Sequence, residues 1–114
     1  MSHVTTHVLD TALGRAARGV PVVLEQERAT PGGAAWDWVA RGETDADGRI
    51  GDLGPHTLAH GRYRLRFDSE RYFVASGQPC FFPEVVVVFL ISEDAHHHVP
   101  VLLSPFSFSS YRGT

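Results

Sequence analysis

The sequence predicts an antiparallel β-sandwich of about eight short strands with one short helix. Apolar and polar residues alternate with a period of two through most of the chain, which is the pattern of half-buried strands. Turn signals rich in glycine, proline and aspartate recur about every 8 to 12 residues. No long helical pattern alternates with the strands, so a doubly wound parallel sheet is excluded.

The first half of the chain predicts three full strands and one brief strand. The alternating stretches are residues 3–9, 20–28 and 34–44. Residues 10–19 suit a loop, and the tetrapeptides TPGG (30–33) and DADG (45–48) are turns by composition, with Gly48 free to take a positive φ. The glycine-punctuated residues 51–60 are compatible with one brief edge strand.

Residues 61–68 (GRYRLRFD) predict the next strand, with its three arginines on one face. Because the whole chain is acidic, we expect this face to be solvated and interleaved with carboxylates rather than to bind phosphate. A short helix follows at 70–75, with Asp68 or Ser69 as its cap and Gly77 at its end.

Three further strands complete the predicted fold. Residues 85–92 (VVVVFLIS) are almost all apolar, which predicts a central strand covered on both faces. Residues 97–104 and 106–111 are the last two strands. The length of 114 residues fits one domain, residues 1–114, in which a deep pocket would need a wall from a neighbouring subunit.

Composition excludes several functions. A net charge of −3 and a pI near 6.1 argue against a nucleic-acid partner, because that function needs a basic face. All ten positive charges are arginines, which rules out a lysine nucleophile or Schiff base. The single cysteine, Cys80, has no histidine or acid near it in sequence, so we expect a buried, inert thiol.

The chain shows no signal peptide pattern, and its longest apolar run is too short to cross a bilayer. We therefore expect a cytoplasmic protein without a membrane partner.

Histidines carry the strongest chemical signal. Strand alternation puts His96 and His98 on one face and His97 on the other, and it puts His3 and His7 together on one face of the first strand. From the residues alone three readings stay open: a metal site that joins these two pairs, solvated histidines at an edge, or an acid–base pair with one histidine from each strand and an arginine for an anion.

Five segments carry a family resemblance that covers essentially the whole chain. They are HVLD at 7–10, GRI at 48–50, SERYFVASG at 69–77, FFPEV at 81–85 and HVPVLLSPFSFSSYRGT at 98–114. These segments closely resemble the 5-hydroxyisourate hydrolases, the transthyretin-like enzymes of urate degradation. Hormone carriers of the transthyretin type share the LLSP strand but lack the histidines and the YRG end.

The resemblance implies hydrolysis of the ring amide of 5-hydroxyisourate to 2-oxo-4-hydroxy-4-carboxy-5-ureidoimidazoline, without a metal or organic cofactor. It also implies a transthyretin-like sandwich that forms a homotetramer, with active sites along a channel between subunits. The family's functional residues fall on two sets of positions. The catalytic set is His7, Arg49 and His98, and the substrate-binding set is Tyr111, Arg112, Gly113 and Thr114.

In the mechanism that we expect, a neutral histidine, His7 or His98, takes a proton from the attacking water. Arg49 binds the urate-like ring and stabilises the developing oxyanion. Two residues depart from the family pattern: Thr114 stands where a terminal serine is usual, and His97 where an aromatic residue is usual. We expect His97 to be tolerated because it faces away from His98. Threonine at 114 keeps the hydroxyl and the carboxylate but adds a methyl group, so we expect it to affect only fine substrate geometry.

Two rival functions remain on the same scaffold. A transthyretin-like carrier would bind a small aromatic ligand in the channel, but Arg49 and two histidines would be unfavourable polar groups in an apolar site. A zinc-dependent hydrolase would lose its activity to a chelator.

Overall fold

The computed structural model describes every residue from Met1 to Thr114 and consists of two β-sheets packed around one core. The single helix is α1, Ser69–Ala75. Nine strands make up the sheets, two of them only two residues long. They are β1 Val4–Asp10, β2 Arg15–Ala16, β3 Pro21–Thr30, β4 Gly33–Glu43, β5 Arg49–Ile50, β6 Gly61–Phe67, β7 Val85–Ile91, β8 His97–Ser104 and β9 Ser107–Ser110.

The first sheet has the order β2–β1–β8–β9, with β5 also paired to β1, and the second has the order β4–β3–β6–β7. The predicted fold class is confirmed, with one difference in strand direction. Strands β1 and β8 pair in parallel, so that Thr5 lies beside His98 and His7 beside Pro100. All other strand pairs are antiparallel. The parallel pair joins the two ends of the chain.

Alternation along the strands builds the core, as the sequence predicts. Val4 and Val8 of β1 and Val101 of β8 are fully buried, and so are Tyr63 and Leu65 of β6 on the facing sheet. The intervening residues of β1 and β8 therefore point away from the core. That outer face of the first sheet is where the histidines of the two strands can meet.

Helix α1 begins one residue earlier than predicted, and Asp68 is its cap. The Asp68 carboxylate accepts a hydrogen bond from the Arg71 backbone N–H at 3.1 Å. Gly77, with φ of +70°, follows the last turn. Ser69 is buried and its hydroxyl donates to the Phe82 carbonyl at 2.6 Å. This helix is far too short and too polar to span a bilayer.

A buried carboxylate ties the end of β1 to the helix. Asp10 accepts hydrogen bonds from the Tyr72 hydroxyl at 2.6 Å and the Gln78 amide at 2.9 Å, and from the backbone of Leu13 at 2.8 Å. Burial alone would raise the pKa of Asp10, but these bonds outweigh burial and hold it below its usual value. The last residue of the HVLD segment is thus a structural anchor.

The arginine face of β6 is interleaved with carboxylates, as predicted. Arg64 bonds Glu25 at 2.7 Å, and Arg66 bonds Glu84 at 3.0 Å. Arg62 lies 3.7 Å from Glu27. This surface is a network of ion pairs with its charges already matched.

Strand β7 is an edge strand, not the central strand that its apolar sequence predicted. Its outward side chains Val86, Val88 and Leu90 are 38%, 50% and 60% exposed. An apolar run shows that both faces of a strand are apolar, but it does not show what covers them.

Two smaller predictions were also wrong. Residues 51–60 contain no strand, and the brief strand is Arg49–Ile50 instead. The predicted loop at 10–19 contains the two-residue strand β2.

Cys80, expected to be buried, is half-buried. Burial raises the pKa of its thiol, and the charges of Glu70 and Asp68 add to the effect.

Candidate active site

An open depression of about 490 Å³ lies on the outer face of the first sheet. Strands β1, β5 and β8 and the last residues of the chain form its walls. Six of the seven predicted site residues line it: His7, Arg49, His98, Tyr111, Gly113 and Thr114. Residues that are at least 90 positions apart in sequence therefore meet, because β1 pairs with β8.

His7 is fixed by a backbone carbonyl. It sits in β1 opposite Arg49 of β5, and its Nε2 lies 2.9 Å from the carbonyl oxygen of Asp47. Because a carbonyl can only accept a hydrogen bond, Nε2 carries the proton and donates it. In the neutral ring, Nδ1 is then the nitrogen with a free lone pair.

Arg49 is positioned by the DADG turn. The Asp45 carboxylate accepts hydrogen bonds from the backbone N–H of Asp47 at 2.9 Å and of Arg49 at 3.0 Å. The bond from Arg49 is the main reason why the pKa of Asp45 is lowered. The Arg49 guanidinium takes part in none of the ion pairs of the structure. Its charge therefore remains available to a ligand.

Gly48 allows this turn to approach β1. Its φ is +76°, and its carbonyl accepts from the Val8 N–H at 2.7 Å. A Cβ at this position would lie 2.4 Å from the carbonyl oxygen of Val8. Only glycine satisfies both the backbone conformation and the space.

His98 is half-buried in β8, beside the end of the chain. Its Nδ1 lies 2.7 Å from the Thr5 hydroxyl oxygen. The pKa of His98 is lowered, first by burial and then by electrostatic interaction with His96, Arg49 and His7, against the opposing effect of hydrogen bonding to Thr5. The ring is therefore neutral at neutral pH, as a general base must be.

The last residues of the chain, except Arg112, line the depression. Tyr111 and Gly113 line the depression, and the Gly113 N–H donates to the His98 carbonyl at 2.8 Å. Arg112 points elsewhere and lies outside the depression, with its guanidinium 2.6 Å from the Glu93 carboxylate. That ion pair lowers the pKa of Glu93. Of the predicted site residues, Arg112 alone does not line this depression.

The remaining histidines divide as strand alternation predicts, with one exception. His97 is buried, and its ring lies 5.3 Å from that of His3. His3 precedes β1, accepts from the Leu58 N–H at 2.9 Å and does not line the depression. The expectation that His3 and His7 share a face was therefore wrong, because the strand begins only at Val4. No three histidine, cysteine or acidic side chains lie together as a metal site would require.

A family model for HIUase/Transthyretin matches residues 4–113. The chain belongs to the HIUase/transthyretin family.

Relatives in the HIUase/transthyretin family include the 5-hydroxyisourate hydrolase of Caulobacter vibrioides. It is 43% identical over 119 residues, and the alignment covers 100% of both chains. The uric acid degradation bifunctional protein TTL of Arabidopsis thaliana is 44% identical over 97% of this chain, and the chain spans only 37% of its length. The 5-hydroxyisourate hydrolase of Klebsiella pneumoniae has a similar structure, with a TM-score of 0.86, 34% identity and 100% coverage of both chains.

Overall shape does not separate the branches of this family. Transthyretin from Sparus aurata matches with a TM-score of 0.88 and 30% identity, over 99% of this chain and 97% of its own. That score is no lower than the score of the Klebsiella hydrolase. The function of this member must therefore be argued from its side chains.

Sequence reasoning missed Thr5. This residue is 5% exposed, and its hydroxyl lies 2.7 Å from His98 Nδ1 and 2.7 Å from His96 Nε2. The only available signal was its position two residues before His7, on the same face of β1. Its partners lie more than 90 residues away, so the contact depends on the parallel register of β1 and β8.

A second depression of about 330 Å³ lies next to the first and shares His98 and Tyr111. Its other walls include Phe89, Val99 and Arg112, and it lacks His7 and Arg49. The depression that holds both histidines and the free guanidinium is the better candidate for chemistry.

Proposed function

We propose that this chain is a 5-hydroxyisourate hydrolase of urate degradation. The observation that carries the proposal is that His7, Arg49 and His98 line one depression in a chain 43% identical, along its whole length, to the Caulobacter vibrioides hydrolase. The chain is thus an enzyme that hydrolyses a cyclic amide, and the product is 2-oxo-4-hydroxy-4-carboxy-5-ureidoimidazoline.

In this proposal His98 is the general base. Burial, and after it the charge of Arg49 and the neighbouring histidines, keep its pKa low, so the ring has a free lone pair at neutral pH. His7 is tied through Nε2 to Asp47, which leaves Nδ1 to accept a hydrogen bond from the attacking water. The two rings together would hold one water molecule in a fixed orientation.

The proposed reaction has two steps, attack of water on the ring amide and departure of the ring nitrogen. The water oxygen bonds to the amide carbonyl carbon while one water proton passes to His98. The carbon–nitrogen bond then breaks, and the leaving nitrogen takes that proton from His98, which ends neutral. The second water proton leaves with the new carboxylic acid and is lost to solvent. Negative charge grows on the carbonyl oxygen during attack, and the unpaired Arg49 guanidinium is the group available to stabilise it.

Tyr111, Gly113 and Thr114 form the proposed substrate wall. Tyr111 is 57% exposed, so its ring is free to lie against a flat heterocycle. Arg112, paired with Glu93, would contribute by holding this segment in place. Direct contact of Arg112 with the substrate is predicted only from the family resemblance.

We also propose a homotetramer, in which another subunit closes the depression. Its support is the exposed apolar surface at the sheet edges: Val88 and Leu90 on β7, and Phe106 and Phe108 at β9, are each at least 41% exposed. Edge strands with apolar side chains are suited to pairing with another copy of the chain. A cytoplasmic location stays a prediction.

The test is to generate 5-hydroxyisourate enzymatically and follow its decay by ultraviolet absorbance with and without the purified protein. We expect the protein to accelerate the decay well beyond the uncatalysed rate, and a chelator to leave the acceleration unchanged. Decay at the uncatalysed rate would overturn the proposal. Loss of activity with chelator, restored by zinc, would favour the metal-dependent alternative.

The alternative function, a carrier of small aromatic ligands, has one observation in its favour. Sea bream transthyretin in complex with thyroxine matches this chain with a TM-score of 0.85 and 31% identity, over 97% of this chain and 94% of its own. Against it stands the free charge of Arg49 in the depression. Tight binding of thyroxine together with uncatalysed decay of 5-hydroxyisourate would support the carrier.

A further inference from the structure

The Thr5 hydroxyl lies between two imidazole rings, 2.7 Å from His98 Nδ1 and 2.7 Å from His96 Nε2. We propose that Thr5 and His96 are positioning residues that hold the proton of His98 on Nδ1 and so leave Nε2 free to accept the proton of the attacking water. This role presupposes the proposed hydrolase function, in which His98 is the base. Neither residue needs to touch the substrate.

Counting protons limits the network to two arrangements. A hydroxyl can donate one proton and accept two, but acceptance from both rings would leave the Thr5 proton without an acceptor, and Thr5 is only 5% exposed. Between two neutral rings the hydroxyl therefore donates to one and accepts from the other. In the first arrangement His98 Nδ1–H donates to Thr5, and Thr5 donates to His96 Nε2. In the second every bond is reversed, and His98 carries its proton on Nε2. Only the first arrangement leaves His98 Nε2 with a lone pair.

The surroundings favour the first arrangement. His96 is exposed, so water can satisfy its Nδ1 in either tautomer. Arg49 lines the same depression as His98, and its positive charge favours a lone pair over an N–H on the ring nitrogen that does not face Thr5.

His96 contributes as the acceptor for Thr5. If that acceptor is removed, the Thr5 hydroxyl can turn its proton toward His98 Nδ1, and the His98 proton moves to Nε2. The two-residue spacing of His96 and His98 is what places both rings on the same side of the chain, with centroids 6.2 Å apart. Within the histidine triplet, His98 is thus the base and His96 helps to fix its tautomer, while the buried His97 lies between them.

The experiment combines kinetics with the ring nitrogen chemical shifts of His98, measured by long-range ¹H–¹⁵N correlation above the titration range of histidine. In the wild type we expect Nδ1 in the protonated range and Nε2 in the unprotonated range. Thr5→Val should lower kcat on the order of 10- to 100-fold with a smaller change in KM, as expected for the partner of a functional histidine. The protonated Nδ1 signal should be lost.

Thr5→Ser keeps the hydroxyl and should restore most of the activity and the Nδ1–H signal. His96→Phe removes only the acceptor and should give a mixture of tautomers with a smaller loss of kcat. The matched control is Thr6→Val, which removes a buried hydroxyl of the same strand that donates to the Val99 carbonyl at 2.7 Å. We expect that variant to lose stability but to keep the His98 tautomer.

An Nε2–H tautomer in the wild type, or a Thr5→Val enzyme with wild-type kcat, would overturn the inference. The wild-type spectrum and His96→Phe decide the matter even if Thr5→Val does not fold. Failure of the proposed function gives a different result, namely a wild-type protein that does not accelerate the decay of 5-hydroxyisourate, whatever its tautomer.

Discussion

The backbone of Gly113 lies directly against the ring of His98. A Cβ at Gly113 would be 2.6 Å from His98 Cδ2 and 3.3 Å from Pro100 Cγ. The Gly113 N–H also bonds the His98 carbonyl at 2.8 Å, which fixes the distance between the two segments. The glycine of the YRGT end is therefore required by space, and it sets the position of the proposed base.

Gly113→Ala should displace the His98 ring and lower kcat/KM about 100-fold, the effect of a small misplacement of a catalytic group. The measurement is the ultraviolet assay of 5-hydroxyisourate decay. Gly32→Ala is the control, because a Cβ there meets nothing within 4 Å and the glycine needs no positive φ. Equal kcat/KM for Gly113→Ala and the wild type would show that the ring position does not matter.

His98→Asn and His7→Asn should each lower kcat by about two to four orders of magnitude, the usual contribution of a general base or of a well-oriented partner. Size-exclusion chromatography checks that the assembly of each variant is unchanged. His60→Asn is a matched control, since His60 is an exposed histidine that pairs with Asp94 at 2.9 Å, away from the depression. If the double variant of His7 and His98 kept the wild-type rate, neither ring could be the base.

How far sequence reasoning reached depends on the range of each interaction. Alternation within one strand correctly separated His97 from His96 and His98, and the cap at Asp68 was an equally local feature. Alternation also placed the arginines of β6 on one face, although Glu25, the partner of Arg64, lies 39 positions away. Contacts between distant strands were not accessible. The Thr5–His98 bond spans 93 positions, and nothing in the composition of β1 shows that it pairs in parallel with β8.

The same limit explains the error at β7 and the unforeseen direction of Arg112. The sequence of β7 shows that both of its faces are apolar, but its position at the edge follows from strand order. The direction of Arg112 depends on the nearby Glu93, which lies on the turn before β8. The proposed assembly is a further step beyond the single chain, and its support in the structure is the set of exposed apolar residues at the sheet edges.

The pH dependence of kcat/KM should show an acid limb below the ordinary histidine value of about 6.5, because the pKa of His98 is lowered and protonation removes the base. The same shift affects stability. The unfolded chain takes up a proton at the ordinary pKa while the folded His98 is still neutral, so stability falls as pH drops through about 6.5 toward the folded pKa.

Urea unfolding at a series of pH values measures this second effect. His98→Asn should flatten the stability profile in that window, since the group responsible is gone. An acid limb centred above 6.5 in the wild type would contradict the assignment of His98 as a base with a lowered pKa.

The last prediction concerns assembly. Val88 lies on the outward face of edge strand β7 and is 50% exposed, between the similarly exposed Val86 and Leu90. Val88→Lys would put a charge into any interface that covers this face, where desolvation of an unpaired ammonium is strongly unfavourable. We expect the wild type to be a homotetramer by light scattering and this variant to form smaller species with reduced kcat, because the depression then lacks a wall.

Val74→Lys introduces the same change on helix α1, where Val74 is 72% exposed, and should leave the assembly intact. A monomeric wild type, or a tetrameric Val88→Lys with full activity, would show that β7 does not contribute to an interface that completes the site.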